Sequence, residues 1–262
     1  MERLRRYTSY ATVLLLLFLA GGGYLFYRGF GSALRTSRGT AARTARYTNS
    51  LVGVDTYTTK QFLRSKRLED AYKEAALSHT GEITDTAVVF RELGKGSWAE
   101  VNPQTQIPHE AVAPVLDIFE KYDARYSGQS IFEEIGIAPK KDSTGKPFYT
   151  ISQQNLLMRA LYNGTYMGRE ESESALSRLA ETGAKIPSAL PATLPFVRIS
   201  WTKMPDTAGP GDFEHNSCGI GYDISKPFVL CIYAKATSPE ALESFFTTIE
   251  ERTYAELPFL YQ

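Results

Sequence analysis

The chain has 262 residues, with 29 basic and 29 acidic side chains, so its formal net charge is zero. A balanced charge gives no electrostatic reason to expect nucleic acid as a partner. Its three histidines lie far apart and its two cysteines lack the spacing of metal ligands, so we expect no metal site and no cofactor. Roughly 210 residues remain after the N-terminal segment, which is enough for one domain with a sizeable core.

The N-terminus predicts a membrane anchor. An uncharged, mostly apolar run extends from Ala11 to Tyr27, with three arginines before it and Arg28 after it. As a helix, this run would be about 26 Å long, just enough to cross the apolar core of a bilayer. A cleavable signal peptide is the alternative, but Gly31-Ser32-Ala33 is a poor cleavage site. We therefore predict an uncleaved signal anchor, a single transmembrane helix, at residues 1–28.

The next stretch predicts a flexible tether. Residues 29–49 are rich in Gly, Ser, Thr, Ala and Arg, a composition typical of a linker, and we place the tether at residues 29–56. Arginines lie on both sides of the apolar run, so charge alone does not fix the orientation in the membrane. The remaining residues, 57–262, are predicted to form the folded domain.

The first part of that domain predicts a helix and a hairpin. Residues 68–78 combine apolar and charged side chains in the pattern of an amphipathic helix, which Gly81 ends. Residues 86–93 alternate as a strand does, residues 94–96 form a turn, and residues 97–101 return as the second strand.

The middle of the chain predicts mainly helices. Thr150, with Gln153 three residues later, forms a capping box at the start of one of them. Three more helices are predicted at residues 115–126, 131–137 and 172–181, and a polar loop at residues 140–147.

The last third predicts a strand, a hairpin and a helix. Residues 196–203 form the strand. The apolar runs SCGIGY and PFVLCIYAK flank a turn-rich stretch at residues 223–226, which indicates a β-hairpin whose second strand lies in the middle of a covered sheet. Ser238 as N-cap and Pro239 in the first turn begin a C-terminal helix that lies on the sheet.

The hairpin register pairs the two cysteines. If residues 223–226 are the loop, Cys218 faces Cys231, and we expect the two to be spatial neighbours. A directly opposed pair can form a disulfide only at a non-hydrogen-bonded position, and an oxidising exterior would favour the bond. Two buried free thiols, acting as small apolar groups, are the alternative.

Three stretches resemble parts of the class A β-lactamase and penicillin-binding-protein superfamily. They are TAVVFRELGKGSWAEVN at residues 86–102, RALYNGTYM at residues 159–167, and EHNSCGIGY followed by PFVLCIY between residues 214 and 233. The resemblance runs in order from about residue 60 to 255 and is greatest to membrane-anchored bacterial serine hydrolases. It implies a mixed α/β fold, with an antiparallel sheet flanked by N- and C-terminal helices and a reduced all-helical half. It also implies a domain outside the cytoplasmic membrane, because these relatives act on the cell wall.

The Ser-x-x-Lys motif of active relatives is altered. That motif starts a buried helix, where residues three apart share a face and the lysine can take the proton of the serine. At the corresponding position this chain has Glu110 in place of the serine and Ala113 in place of the lysine. A displaced Ser-x-x-Lys begins at Ser143, but Gly145 and Pro147 make that stretch a turn.

The two other motifs are also altered. Relatives carry Lys-Thr-Gly on the strand at residues 196–203, where this chain has Trp201, Thr202 and Lys203. A bulky residue at the glycine position is expected to obstruct a strand-like substrate. Trp201 is interpreted either as a core residue or as a stacking platform for a ligand. No Ser-Asp-Asn-like motif is found in the short segment between Asn102 and Thr150.

We therefore predict a catalytically inactive homologue with a binding or structural role in the cell envelope. Its former cleft, around the binding candidates Glu110, Trp201, Thr202, Lys203 and His215, would bind a peptidoglycan fragment or an envelope protein. The first alternative is an active serine hydrolase of β-lactamase or D,D-peptidase type, acting on β-lactams or peptidoglycan peptides. The second is a purely structural envelope component that uses the sheet as an interaction surface.

Overall fold

The structure of the chain is a computed structural model. The described residues are Thr48 and residues 64–94, 96–126, 137, 140–141, 143–145, 147–182, 189–192, 194–204, 213–223 and 227–261. The predicted anchor at residues 1–28, nearly all of the predicted tether and most of the helix predicted at residues 131–137 lie outside this set. Within it, no helix has the length and apolar character needed to span a bilayer.

The described residues form five helices and eight strands. The helices are α1 Lys66–Ser78, α2 His109–Tyr126, α3 Ile151–Asn163, α4 Arg169–Thr182 and α5 Pro239–Glu256, which a 3-10 turn at Leu257–Tyr261 follows. The strands are β1 Ile83–Glu92, β2 Trp98–Val101, β3 Gln106–Pro108, β4 Lys140–Lys141, β5 Pro147–Thr150, β6 Phe196–Lys203, β7 Phe213–Gly221 and β8 Phe228–Ala236.

The main sheet has five antiparallel strands in the order β2-β1-β8-β7-β6. Strand β8 lies in its middle, and eight of its nine residues are buried, which confirms the position predicted from its two apolar faces. In the β7–β8 hairpin Gly221 lies opposite Phe228 and Cys218 opposite Cys231, so the register counted from the loop is also confirmed.

Each face of this sheet has its own core. We call the side covered by α2, α3 and α4 the inner face, where Val89, Ile199 and Val229 pack against those helices. We call the side covered by α1 and α5 the outer face, where Phe90, Leu230 and other residues meet the two terminal helices. Since side chains alternate along a strand, neighbouring residues of each strand belong to different cores. The predicted mixed α/β fold is confirmed.

Two helices begin at the N-cap residues that the sequence predicted. The capping box at Thr150 is present, with the Gln153 backbone amide donating to Thr150 Oγ1 at 3.2 Å and Gln153 Oε1 accepting from the Thr150 amide at 2.8 Å. Ser238 Oγ accepts from the Ala241 amide at 3.1 Å at the start of α5. Both caps satisfy amide groups that have no partner inside the helix.

The second, smaller sheet was not predicted. Strands β3, β4 and β5 form it in the order β3-β5-β4, so the segment predicted as a polar loop at residues 140–147 begins and ends in strand pairing. These strands have only two to four residues each, which is too short for a pattern of alternation to show in the sequence. Helix α2 also begins at His109, earlier than the predicted Val115, and contains Pro114.

A charge cluster fixes the start of α1. The carboxylate of Glu69 is almost inaccessible to solvent and forms ion pairs with the side chains of Arg64 and Lys73. Hydrogen bonds from Arg64 and then from Lys73 lower the pKa of Glu69 to about 2. The ionised form is therefore favoured in the folded chain relative to the unfolded one.

Glu69 predicts a loss of stability at acid pH. Since the pKa of Glu69 falls from 4.5 to about 2 on folding, its contribution to the free energy of unfolding is complete above pH 4.5 and is lost as the pH falls towards 2. Chemical denaturation of the wild type and of Glu69→Gln at several pH values measures this. The difference in stability between them should shrink through that interval, and a constant difference would contradict the assignment.

Candidate functional site

Helix α2 begins with a carboxylate in solvent. Glu110 is exposed in its first turn, where the positive end of the helix dipole favours an acidic side chain. Ala113 is partly buried on the next turn, and Ala111 and Val112 between them belong to the inner core. The start of α2 therefore carries neither a nucleophile nor a lysine.

Strand β6 divides the predicted site residues between the two faces of the sheet. Trp201 is partly buried and packs against the inner core. Thr202, the next residue, lies on the outer face and contacts His215 of β7. The five binding candidates therefore do not form one cleft, because Trp201 and the Thr202–His215 pair lie on opposite sides of β6 and β7.

Lys203 takes part in a charge cluster at the end of β6. Its Nζ lies 3.3 Å from Glu214 Oε1, and Lys235 Nζ lies 3.8 Å from the same atom. The Tyr233 hydroxyl donates to Glu214 Oε2 at 3.1 Å. Burial, and then the charge of Glu214, raise the pKa of Tyr233, so this hydroxyl stays protonated. The lysine is engaged with a carboxylate of its own chain.

A buried amide pair lies beside Trp201. Gln154 of α3 and Asn216 of β7 exchange two hydrogen bonds, of 2.7 Å and 3.0 Å, and both side chains are shielded from solvent. Gln154 Nε2 also donates to the carbonyl of Ala111 at 3.2 Å. Asn216 is the cross-strand partner of Trp201. The amides thus join α2, α3 and β7, and their hydrogen bonds are made within the protein.

Among the described residues, Thr202 and His215 form the closest contact between a hydroxyl and an imidazole. Thr202 Oγ1 lies 2.6 Å from His215 Nδ1, and the ring packs edge-on against Phe246 of α5 at 4.6 Å. Both residues border a cavity of about 170 Å³ beside α5. Burial, and then the charge of Arg198, lower the pKa of His215 to about 4. His215 is therefore neutral at pH 7 and a weak general base.

The other hydroxyl groups of the described residues offer no better arrangement. Ser143 lies exposed in a turn, as predicted. His79 contacts the hydroxyls of Ser78 and Ser244 at 3.2 Å and 3.1 Å, on the outer side of the sheet. In the described part of the chain no serine hydroxyl is hydrogen-bonded to a lysine amine, and no three metal-ligating side chains come together.

The two cysteines lie in the inner core. The sulfur atoms of Cys218 and Cys231 are joined, and their Cα atoms are 3.9 Å apart. Both residues are buried, and Asn155 Nδ2 lies 3.7 Å from Cys231 Sγ. The pair links β7 to β8 directly, between strands that are already hydrogen-bonded, so it is a structural link.

Sequence patterns had not pointed to the amide pair. Asn216 lies within a β7 segment whose other residues are buried, and a polar residue at such a position needs a partner. The polar Asn216 in this strand could therefore have indicated a buried hydrogen-bonding partner, but nothing in the sequence identified Gln154, 62 residues away, as that partner.

The fold is similar to solved β-lactamases at low sequence identity. A β-lactamase from Chitinophaga pinensis is 12% identical, with a TM-score of 0.55 over 72% of this chain and 97% of that one. A class A β-lactamase from Bacteroides cellulosilyticus is 12% identical, with a TM-score of 0.58 over 72% and 98%. PBP-A is 11% identical, with a TM-score of 0.59 over 77% and 99%.

The chain has the β-lactamase fold. No protein-family model and no curated protein matches the sequence, so the chemistry of this β-lactamase-like domain has to be read from its own residues. The positions that the resemblance assigns to the catalytic cleft are the start of α2 and the end of β6. There the domain has Glu110, Ala113 and Trp201 to Lys203, with the Gln154–Asn216 pair behind them.

The amide pair predicts a strong coupling in stability. Gln154→Leu should destabilise the β-lactamase-like domain by about 1–3 kcal/mol, because Asn216 is then buried without its partner. Asn216→Leu should have a similar effect, and the double variant should lose much less than the sum of the two. Chemical denaturation of the four proteins measures this coupling, and additive losses would show that the pair does not join the elements.

His215 predicts a second acid-sensitive interval. Because folding lowers the pKa of His215 from 6.5 to about 4, the unfolded chain binds a proton first, and stability should fall as the pH drops from 6.5 to 4. His215→Gln should flatten that part of the stability profile. The interval differs from that of Glu69, so Glu69→Gln is a matched control that should leave it unchanged.

Proposed function

We propose that the chain is a catalytically inactive β-lactamase-type serine hydrolase homologue with a binding or structural role in the cell envelope. One observation carries the proposal: where the resemblance expects a nucleophile and its base, the domain has Glu110 and Ala113, backed by amides that bond to each other. A nucleophilic hydroxyl needs a base within hydrogen-bond reach. A carboxylate and a methyl group do not supply that pair.

The end of β6 supports the same proposal. Trp201 fills space against the inner core, and Lys203 is paired with Glu214. A lysine with a long side chain at the glycine position narrows the edge beside which a strand-like substrate would bind. The partly exposed surface of Trp201 and the exposed Glu110 remain the groups for contact with a peptidoglycan fragment or an envelope protein.

The proposed location follows from the N-terminal sequence. Residues 1–28 would span the membrane once and residues 29–56 would tether the domain outside the cytoplasmic membrane. Removing this apolar segment should release the domain from membranes, which fractionation of cells carrying full-length and truncated forms can measure.

The second candidate is an active hydrolase centred on Thr202. Its hydroxyl is 2.6 Å from an imidazole nitrogen and borders a cavity, which is the arrangement of a nucleophile with a base. A solved PBP-A variant, with the same fold, is described as an acyl-enzyme complex with penicillin G. The lowered pKa of His215 counts against this candidate, because an imidazole with a pKa of about 4 is a weak base for removing the proton of the Thr202 hydroxyl at neutral pH.

Acylation by a penicillin separates the two candidates. The purified full-length protein is incubated with a reactive penicillin and its intact mass is measured, with an active class A β-lactamase treated in parallel. We expect no adduct and no hydrolysis of the penicillin. An adduct on any hydroxyl, located by peptide mapping, would overturn the inactive assignment. If that adduct disappears in Thr202→Val but not in Ser143→Ala, Thr202 is the nucleophile.

A further inference from the structure

A second cavity opens on the inner face at the opposite corner of the sheet from Trp201. Its volume is about 360 Å³, and its polar and charged lining includes Arg91, Gln104, Lys140, Ser152, Asn155 and Arg159. Strands β1 and β6 are separated by β8 and β7, so their axes lie about 14 Å apart. Arg91 lies near the end of β1, level with the beginning of β8 and of β6. Trp201 lies near the opposite end of β6.

The cavity is positively charged. Among the described residues that line it, three are cationic, Arg91, Lys140 and Arg159, and none is acidic. Arg91 and Arg159 are both partly buried, and neither forms an ion pair with a carboxylate of the described chain. Glu100 attracts Arg91 but lies beyond ion-pair distance.

The two arginines oppose each other. Burial lowers the pKa of both, and the charge of Arg159 lowers that of Arg91 further. Two like charges held close together in a partly desolvated place cost stability. Arg198, by contrast, is buried with Glu250 Oε1 3.0 Å from its Nη2.

The geometry of Arg91 is already fixed without an anion. Its guanidinium stacks over the ring of Trp98 at 4.8 Å, a contact that orients the planar group at little entropic cost. Arg159 projects from α3, whose opening capping box holds the helix in place. A guanidinium that is oriented in advance and has no acceptor among the described residues suits an anion that accepts two parallel hydrogen bonds.

The helix N-terminus at this cavity does not serve as the anion site. The amide of Ile151 donates to Thr105 O, that of Ser152 to Pro103 O and that of Gln153 to Thr150 Oγ1, each at 3.2 Å. These backbone donors are therefore occupied. An anion in the cavity would be bound by side chains.

We propose that this cavity binds a small anionic ligand, whose phosphate or carboxylate group is held between the guanidinium groups of Arg91 and Arg159. The volume of about 360 Å³ lies at the lower end of the roughly 300–1,000 Å³ range of small-molecule sites. Lys140 is an exposed lining residue and adds attraction, and Gln104, Ser152 and Asn155 supply neutral polar contacts. The site does not depend on whether the cleft beside Trp201 is catalytic.

The first test measures binding of a defined anion. Full-length protein is titrated calorimetrically with inorganic phosphate and, separately, with succinate, at an ionic strength held constant with chloride. We expect saturable binding of at least one of them, and the preferred anion identifies the group that the site takes. Arg159→Gln should weaken the binding roughly tenfold or more. Arg252→Gln, which removes an exposed arginine of α5, should leave it unchanged.

The second test separates a guanidinium site from a general positive charge. Arg159→Lys keeps the charge and lacks the planar fork, so it should bind more weakly than the wild type but more strongly than Arg159→Gln. Without anion, Arg159→Gln should unfold at a higher temperature than the wild type, because one of two repelling charges is gone. With phosphate or succinate added, the wild type should gain more stability than Arg159→Gln, since it binds the anion more tightly, and the difference in unfolding temperature should shrink or reverse.

Two results would overturn the proposal. The first is an absence of saturable binding of either anion by the wild type, with stability that depends on ionic strength alone. The second is equal binding by Arg159→Gln and Arg252→Gln, which would show that anions bind elsewhere. Neither result depends on penicillin acylation, so failure of this site and failure of the proposed function are distinguishable.

Discussion

The burial of β8 on both faces is the constraint on which the rest of this structure depends. A strand with water on neither side must have a partner on each edge and a covering layer on each face. Strands β1 and β7 supply the edges, and two separate sets of helices supply the layers. The order of the sheet, the position of the terminal helices on one face and the compartment in which each β6 residue lies all follow from that arrangement.

Three pairs of polar side chains inside these layers differ in how their charges and hydrogen bonds are satisfied. Arg198 and Glu250 neutralise each other under α5. Gln154 and Asn216 satisfy each other's hydrogen bonds under α2. Arg91 and Arg159 have no described carboxylate in ion-pair contact. The first two arrangements are complete within the chain, as buried polar groups normally are. The third is incomplete among the described residues, which is why a small anionic ligand is inferred there.

Much of the fold could be predicted because it rests on short-range rules. The capping box at Thr150, the N-cap at Ser238 and the register that pairs Cys218 with Cys231 require only neighbouring residues and counting. The small sheet could not, because strands of two to four residues gain their stability from pairing with distant segments. Its formation turned an expected loop into part of the wall of the cationic cavity.

The candidate site was predicted less well than the fold. The motif consists of three consecutive residues of one strand, and Trp201, Thr202 and Lys203 were therefore expected to lie in one cleft. Because side chains alternate between the two faces of a sheet, Thr202 lies on the other face, where it contacts His215. Contacts such as Gln154 with Asn216 join residues 62 positions apart, and a single sequence carries no pattern that pairs them.

The alternation along β6 also separates two surfaces that substitutions can change independently. Ile199 and Trp201 belong to or pack against the inner core, whereas Arg198 is paired with Glu250 of α5 on the outer face. Substitutions on one side can therefore accumulate without a compensating substitution on the other. The alternation along these eight residues therefore lets the surface around Trp201 change while the packing of the C-terminal helix stays intact.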